Sequence, residues 1–238
     1  MHRPWSAGLS RLLRTLPRWP SQCAICHSWP SQRVCEACVQ RFAQPRPRCH
    51  SCALAVPEGV RQCGACLHQP PPLHRCLAAL DYAYPWADAL SDFKFRSDPG
   101  WASALALLLR STPWAEPVLD GADLVLPLPL SRQRLRQRGF NQALELARPV
   151  ARATGLPIDT TSCQRIRHTP AQAALPWRER VKNIRGAFHC TADFSGKRLL
   201  LVDDVMTTGA SIDECARTLK LHGAARVSAL VVARALPK

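Results

Sequence analysis

The chain has 238 residues, enough for one large domain or one medium and one small, and 47% of them are hydrophobic, so a buried core can form. Lys and Arg outnumber Asp and Glu by 32 to 17, a formal charge of +15. That excess points to an anionic partner (nucleic acid, nucleotide or anionic lipid), with a solvated basic face as the plainer reading, and the lack of a run of about 18 apolar residues argues against a transmembrane segment.

In chain order, residues 1–20 form a basic arm with Arg3, Arg11, Arg14 and Arg18, expected to be flexible and without the apolar stretch of a signal peptide. Residues 21–72 are poor in apolar side chains and hold eight of the twelve cysteines, as the C-x-x-C pairs Cys23/Cys26, Cys35/Cys38, Cys49/Cys52 and Cys63/Cys66. Each pair can form a knuckle that turns two thiolates toward one metal, and two knuckles complete a tetrahedral site. Sequential pairing gives a double zinc ribbon, Cys23, Cys26, Cys35 and Cys38, then Cys49, Cys52, Cys63 and Cys66, holding about two Zn²⁺. A cross-braced pairing satisfies the same spacing. Four thiolates leave no open coordination position, so the metals are structural. Paired cysteines without a secretion signal point to a reducing, cytoplasmic setting. His27, His50, His68 and His74 read as bystanders, and Cys76, Cys163, Cys190 and Cys215 as scattered buried or loop thiols. Pro70, Pro71 and Pro72 make a stiff connector, and the second domain is placed at residues 73–238.

From there strands and helices alternate. Residues 77–84 read as a strand, 85–98 and 100–111 as helices, and 123–130 as a strand running into a loop. Residues 131–155 read as largely helical, stopping at Gly155. Residues 162–168 are short and ambiguous, and 170–184 partly helical. Residues 197–204 form a buried strand, 211–223 a helix ending at Gly223, and 225–235 a strand. The fold class is therefore α/β, a parallel sheet with flanking helices, preceded by the small Cys-rich module.

The stretch LLLVDDVMTTGAS, residues 199–211, carries the chemistry. Ligands bind at the carboxyl ends of strands in such sheets, where Asp203 and Asp204 fall. Thr207, Thr208, Gly209, Ala210 and Ser211 then lead into a helix. Small residues let backbone N–H groups converge, the helix start adds positive charge, and the hydroxyls add donors, so the loop suits a phosphate. The two acids suit vicinal hydroxyls, or Mg²⁺ through water. Together they describe a ribose 5-phosphate site. A helix cap with solvated acids fits one acid and one Ser, but two acids, two Thr and a Gly in this order fit it poorly. Neither a Walker-type loop nor a dinucleotide fingerprint is present. Arg132, Arg134, Arg136 and Arg138 follow the 123–130 strand; Arg138, beside Gly139, is the candidate for an inward pyrophosphate contact, the others being solvated or facing nucleic acid. Arg165 and Arg167 lie in a segment that could close over the site as a lid, or form an exposed basic loop.

The LLLVDDVMTTGAS segment resembles the signature of type I phosphoribosyltransferases. The resemblance implies that Asp203 and Asp204 contact the ribose of phosphoribosyl pyrophosphate and that Thr207–Ser211 hold its 5-phosphate. With PLPLSRQRLRQRGFNQ, RIRHTPAQAAL, VKNIRGAF and LSDFKFRSD, the chain resembles the ComF family from about Cys23 onward. That family joins a cysteine-rich zinc module to a phosphoribosyltransferase domain. The resemblance implies phosphoribosyl pyrophosphate and Mg²⁺ as ligands, and cytoplasmic handling of DNA during natural transformation, with single-stranded DNA and the DNA-uptake machinery as partners. An active phosphoribosyltransferase and a non-catalytic phosphoribosyl pyrophosphate sensor are the alternatives.

Overall fold

Leu199, Leu200, Leu201 and Val202 are four consecutive residues with at most 2% exposure. Successive residues of a strand face opposite sides, so this run is covered on both faces. The computed structural model describes residues 21–96, 98–167 and 183–236. The strands are β1 (Arg75–Asp81), β2 (Leu124–Pro127), β3 (Cys163–Arg165), β4 (Phe188–Cys190), β5 (Arg198–Met206) and β6 (Arg226–Arg234). β1, β6, β5 and β2, in that order, form one parallel sheet, while β3 and β4 pair as a small antiparallel ribbon.

The helices are α1 (Glu36–Phe42), α2 (Gly64–His68), α3 (Trp86–Phe95), α4 (Trp101–Arg110), α5 (Ala115–Asp120), α6 (Arg132–Arg138), α7 (Gln142–Thr154) and α8 (Ala210–Leu221). One face of the sheet presents Leu199, Leu201, Val227, Ala229 and Val231 to a core shared with Ile212, Cys215, Ala216 and Leu219 of α8 and Phe188 of β4. α4 and α7 pack on each other; α4 also packs on β1 and β6, and α7 on β2 and β5. Leu105, Leu109, Leu146 and Val150 of these two helices are fully buried.

The helix expected over 131–155 is two helices. Gly139 breaks it at φ +77, Ser131 caps α6 by accepting from Arg134 N–H, and Asn141 caps α7 by accepting from Ala143 N–H. The side chain of Asn141 also donates to Leu128 O, which ties the start of α7 to the end of β2. The short helix α5 and strand β4 were not expected, and β3 was ambiguous; none is long enough to show a period. The expected basic arm and the helical reading of residues 170–182 lie outside the described residues.

The chain divides into two compact units, one ending at Gln40 and the other beginning at Arg41. The first holds Cys23, Cys26, Cys35 and Cys38. The second holds Cys49, Cys52, Cys63 and Cys66 together with the sheet.

Candidate functional site

β2 leaves the sheet early: its pairing with β5 ends at Val202, where Leu128 N–H makes the last bond, while β5 stays paired with β6 as far as Met206. Among the described residues, Asp203 and Asp204 therefore have no strand on that side. A cavity of about 490 Å³ opens there, lined by both acids, all of residues 205–212, Lys94, Phe95, Arg134, Arg138 and Arg165. The loop turns into α8 at Gly209, whose φ is +85. A Cβ there would lie 2.5 Å from Met206 Cε, so that side chain would have to shift, and the left-handed backbone is what calls for glycine.

Asp204 is 5% exposed and its Oδ1 lies 3.1 Å from Lys94 Nζ on α3. Enclosure, then the neighbouring Asp204 carboxylate, push the Asp203 carboxyl up to about 7, with Lys94 and Arg138 opposing. The two acids thus differ: one is paired with an ammonium, the other is held near the point of ionisation. Arg138 donates to Gln142 Oε1 at 3.0 Å, and its guanidinium lies 5.4 Å from the ring centroid of Phe95, a side chain 69% exposed.

The structure brings Asp203, Asp204, Thr207–Ser211, Arg138 and Arg165 into one cavity, and leaves Arg167 outside it. Arg165 sits in β3, 6% exposed, with its guanidinium over Phe188. Burial, then the charge of Arg134, lowers its pKa to about 10. Arg167 donates to Arg185 O at 2.7 Å, and Ile166 N–H donates to Ala187 O, so the two family-like blocks around 165 and 185 meet. Arg134 was expected to face away but lines the cavity with Arg138. It is one helical turn before Arg138, a spacing that places both on one face. Lys94 and Phe95 lay in a family-like block to which no role was attached.

The two cysteine tetrads share one local plan. Within each, the four Sγ atoms lie within 4.8 Å of one another, and no histidine joins either group among the described residues. Pairing is sequential rather than cross-braced. Zinc at a Zn–S distance of about 2.3 Å sets tetrahedral S···S edges of about 3.8 Å. The observed separations are 3.9 Å for Cys23–Cys38, 3.5 Å for Cys26–Cys35 and 3.7 Å for Cys52–Cys63. Backbone N–H groups point at sulfur in equivalent places, Cys35 N to Cys23 Sγ and Cys63 N to Cys49 Sγ. The residue after each first pair, His27 or Ala53, takes a positive φ to close the knuckle. The Ser28 hydroxyl, then its backbone N–H, draw the Cys26 thiol down to about 6, while burial, then the neighbouring thiols, push the Cys38 thiol up. The donor sets fit Zn²⁺. Of the remaining cysteines, Cys163 lies 3.8 Å from Cys215 and opposite Cys190, so these three buried thiols are gathered rather than scattered.

The second tetrad also touches the loop. Arg234, 6% exposed at the end of β6, donates through Nε to Cys52 O at 2.8 Å. Its Nη1 is within hydrogen-bond reach of Met206 O at 3.1 Å and of Thr207 O. Cys76 adds a second link, its N–H donating to His50 O and its Sγ lying 3.5 Å from Met206 Sδ.

Comparison with known proteins agrees with this arrangement. Residues 140–237 match the phosphoribosyl transferase domain. DNA utilization protein YhgH of Escherichia coli K12 is 33% identical over 206 residues, covering 85% of this chain and 91% of that protein. Competence protein F of Haemophilus influenzae is 29% identical, covering 85% and 90%, and competence protein ComFC of Bacillus subtilis is 31% identical, covering 62% and 59%. A parallel sheet of phosphoribosyltransferase type, cysteine tetrads ahead of it and relatives aligned over most of their length lead to one assignment: the chain belongs to the ComF family.

Proposed function

We propose that the chain binds phosphoribosyl pyrophosphate with Mg²⁺ in the β5–α8 cavity and handles single-stranded DNA. The observation that supports the first half is the convergence of two carboxylates, a hydroxyl-rich loop at the start of α8 and three arginines in one cavity. The loop N–H groups and the hydroxyls of Thr207, Thr208 and Ser211 hold the 5-phosphate at the positive end of the helix. Asp203 and Asp204 accept from the ribose hydroxyls. Arg134, Arg138 and Arg165 meet the pyrophosphate. Two hard carboxylate donors beside a phosphate loop fit Mg²⁺, whose charge would offset that of the pyrophosphate. Zn²⁺ is assigned to the two Cys₄ groups.

The printed names of the relatives, DNA utilization and competence, support the second half. So do the charge of +15 and the exposed Arg132 and Arg136 on the outer face of α6. Partners in the DNA-uptake machinery and a cytoplasmic location belong to the same reading; no described helix is long and apolar enough to cross a membrane. Turnover as a phosphoribosyltransferase is favoured by one feature, the exposed ring of Phe95 at the cavity, which offers a flat face to an acceptor base.

Calorimetry with Mg²⁺–phosphoribosyl pyrophosphate and with ribose 5-phosphate tests the site. Asp203→Asn and Asp204→Asn should each weaken the former by about ten- to a hundred-fold, since each loses charge-assisted bonds worth about 1.5–3 kcal/mol; Asp203→Asn keeps the fold intact, while Asp204→Asn also leaves Lys94 without its buried partner. Thr208→Val should weaken both ligands. Parent-like binding in all three variants would reduce the loop to an ordinary βα turn.

A further inference from the structure

A second basic cavity, of about 210 Å³, lies at the opposite, amino end of the same sheet. Three neighbouring strands contribute arginines to it: Arg75 near the start of β1, Arg198 of β5 and Arg226 of β6. The register makes this a shared face. Arg198 stands directly opposite Arg226, and Arg75 opposite Ser228, two residues further along β6. Residues two apart on a strand, and partners across strands, project the same way. None of the lining residues is acidic.

Like charges directly opposite on neighbouring strands destabilise a sheet unless something neutralises them. Arg198 has a partner: Nη2 lies 2.6 Å from Asp123 Oδ1, and the pairing holds the Asp123 carboxyl down at about 2. The guanidinium of Arg226 has no hydrogen-bond or ion-pair partner among the described residues, and Nε of Arg75 has no hydrogen-bond partner. Two guanidinium groups are thus left facing one cavity. Beside them the ring of Trp114 is 67% exposed and lies 5.5 Å from the Arg75 guanidinium. Trp114 has a left-handed φ of +68, a conformation uncommon for a bulky residue, and it is held at the entry to α5, whose Pro117, Val118 and Gly121 line the cavity.

We propose that this face is a second anion site that takes one nucleotide unit, its phosphate between Arg75 and Arg226 and its base against Trp114. It is separate from the phosphoribosyl pyrophosphate cavity, about 17 Å along β5 as counted from Arg198 to Asp203. It deepens the single-strand reading by giving a strand a place to lie, and the same chemistry suits a free nucleotide.

The test measures binding of a roughly ten-nucleotide oligothymidylate and of thymidine 5′-monophosphate across a salt series, for the parent, Arg75→Gln, Arg226→Gln and Trp114→Leu. Each arginine variant should lower oligonucleotide affinity about three- to ten-fold and reduce the log–log salt slope by about one. Trp114→Leu should lower affinity about five-fold or more with the slope unchanged. Calorimetry with Mg²⁺–phosphoribosyl pyrophosphate should be unaffected in all three, which also shows that they fold. Binding of the mononucleotide as tightly as the oligonucleotide identifies a nucleotide site; binding of the oligonucleotide alone identifies a strand site. Parent-like oligonucleotide binding in all three variants overturns this site and leaves the single-strand reading standing. A parent that binds neither ligand at low salt overturns both.

Discussion

Lys94 and Asp204 form an ion pair whose side chains are 14% and 7% exposed, so each screens the other from an otherwise uncompensated buried charge. Removing one partner of such a pair typically costs about 3–5 kcal/mol, while replacing both with apolar residues costs far less. Urea unfolding of Lys94→Met should therefore show a loss in this range, and the double variant Lys94→Met/Asp204→Leu should recover most of it. Asp203 supplies a pH signature. Its folded carboxyl keeps a proton up to about 7, whereas the ordinary value is 3.8, so between these values the folded chain binds more protons than the unfolded one. Stability attributable to this group is greatest below pH 4 and is lost as pH rises toward 7. A melting-temperature series from pH 5 to 8 should decline less in Asp203→Asn than in the parent. Asp203 and Asp204 could be found in the sequence because they adjoin the loop they serve. Lys94 could not, because its contact with Asp204 exists only once α3 has packed beside the end of β5.

At the scale of elements, the cavity depends on how strands end. Gly209 marks the end of the loop after β5, and Gly139 the break between α6 and α7. Gly209→Ala should cost about 1–2 kcal/mol from the left-handed backbone alone, read as a shift in urea midpoint, with weaker binding of ribose 5-phosphate. Asn141→Ala should cost about 1 kcal/mol through the lost cap, and it also frees Leu128 O at the end of β2. β1, β5 and β6 were legible because each is a long apolar run bounded by charge or glycine, and α3, α4 and α8 because their apolar residues recur at helical spacing. The division of residues 131–155 was written in Ser131, Gly139 and Asn141, yet Ala- and Arg-rich propensity masked it. α5, β3 and β4 carry too few residues for any period, and only tertiary packing defines them.

For the whole molecule, the tetrads and the charge set the expectations. Protein purified without chelator should carry about two zinc ions per chain by elemental analysis. Cys23→Ser should release one of them and leave the β-sheet unit folded, because the first tetrad lies in the other compact unit. The spacing of the cysteines announced both tetrads. It did not announce Arg234, a residue at the end of a strand whose importance comes from two distant carbonyls, Cys52 O and Met206 O. One buried guanidinium therefore braces a cysteine knuckle on one side and the β5–α8 loop on the other. If metal and sugar phosphate bind on the two sides of this brace and each biases it, their equilibria are linked, and linkage is reciprocal. Whatever factor metal at Cys49, Cys52, Cys63 and Cys66 contributes to ribose 5-phosphate affinity, ribose 5-phosphate should return to metal retention. At equilibrium a competing chelator should strip that ion less completely when the sugar phosphate is present, and Arg234→Met should abolish the difference.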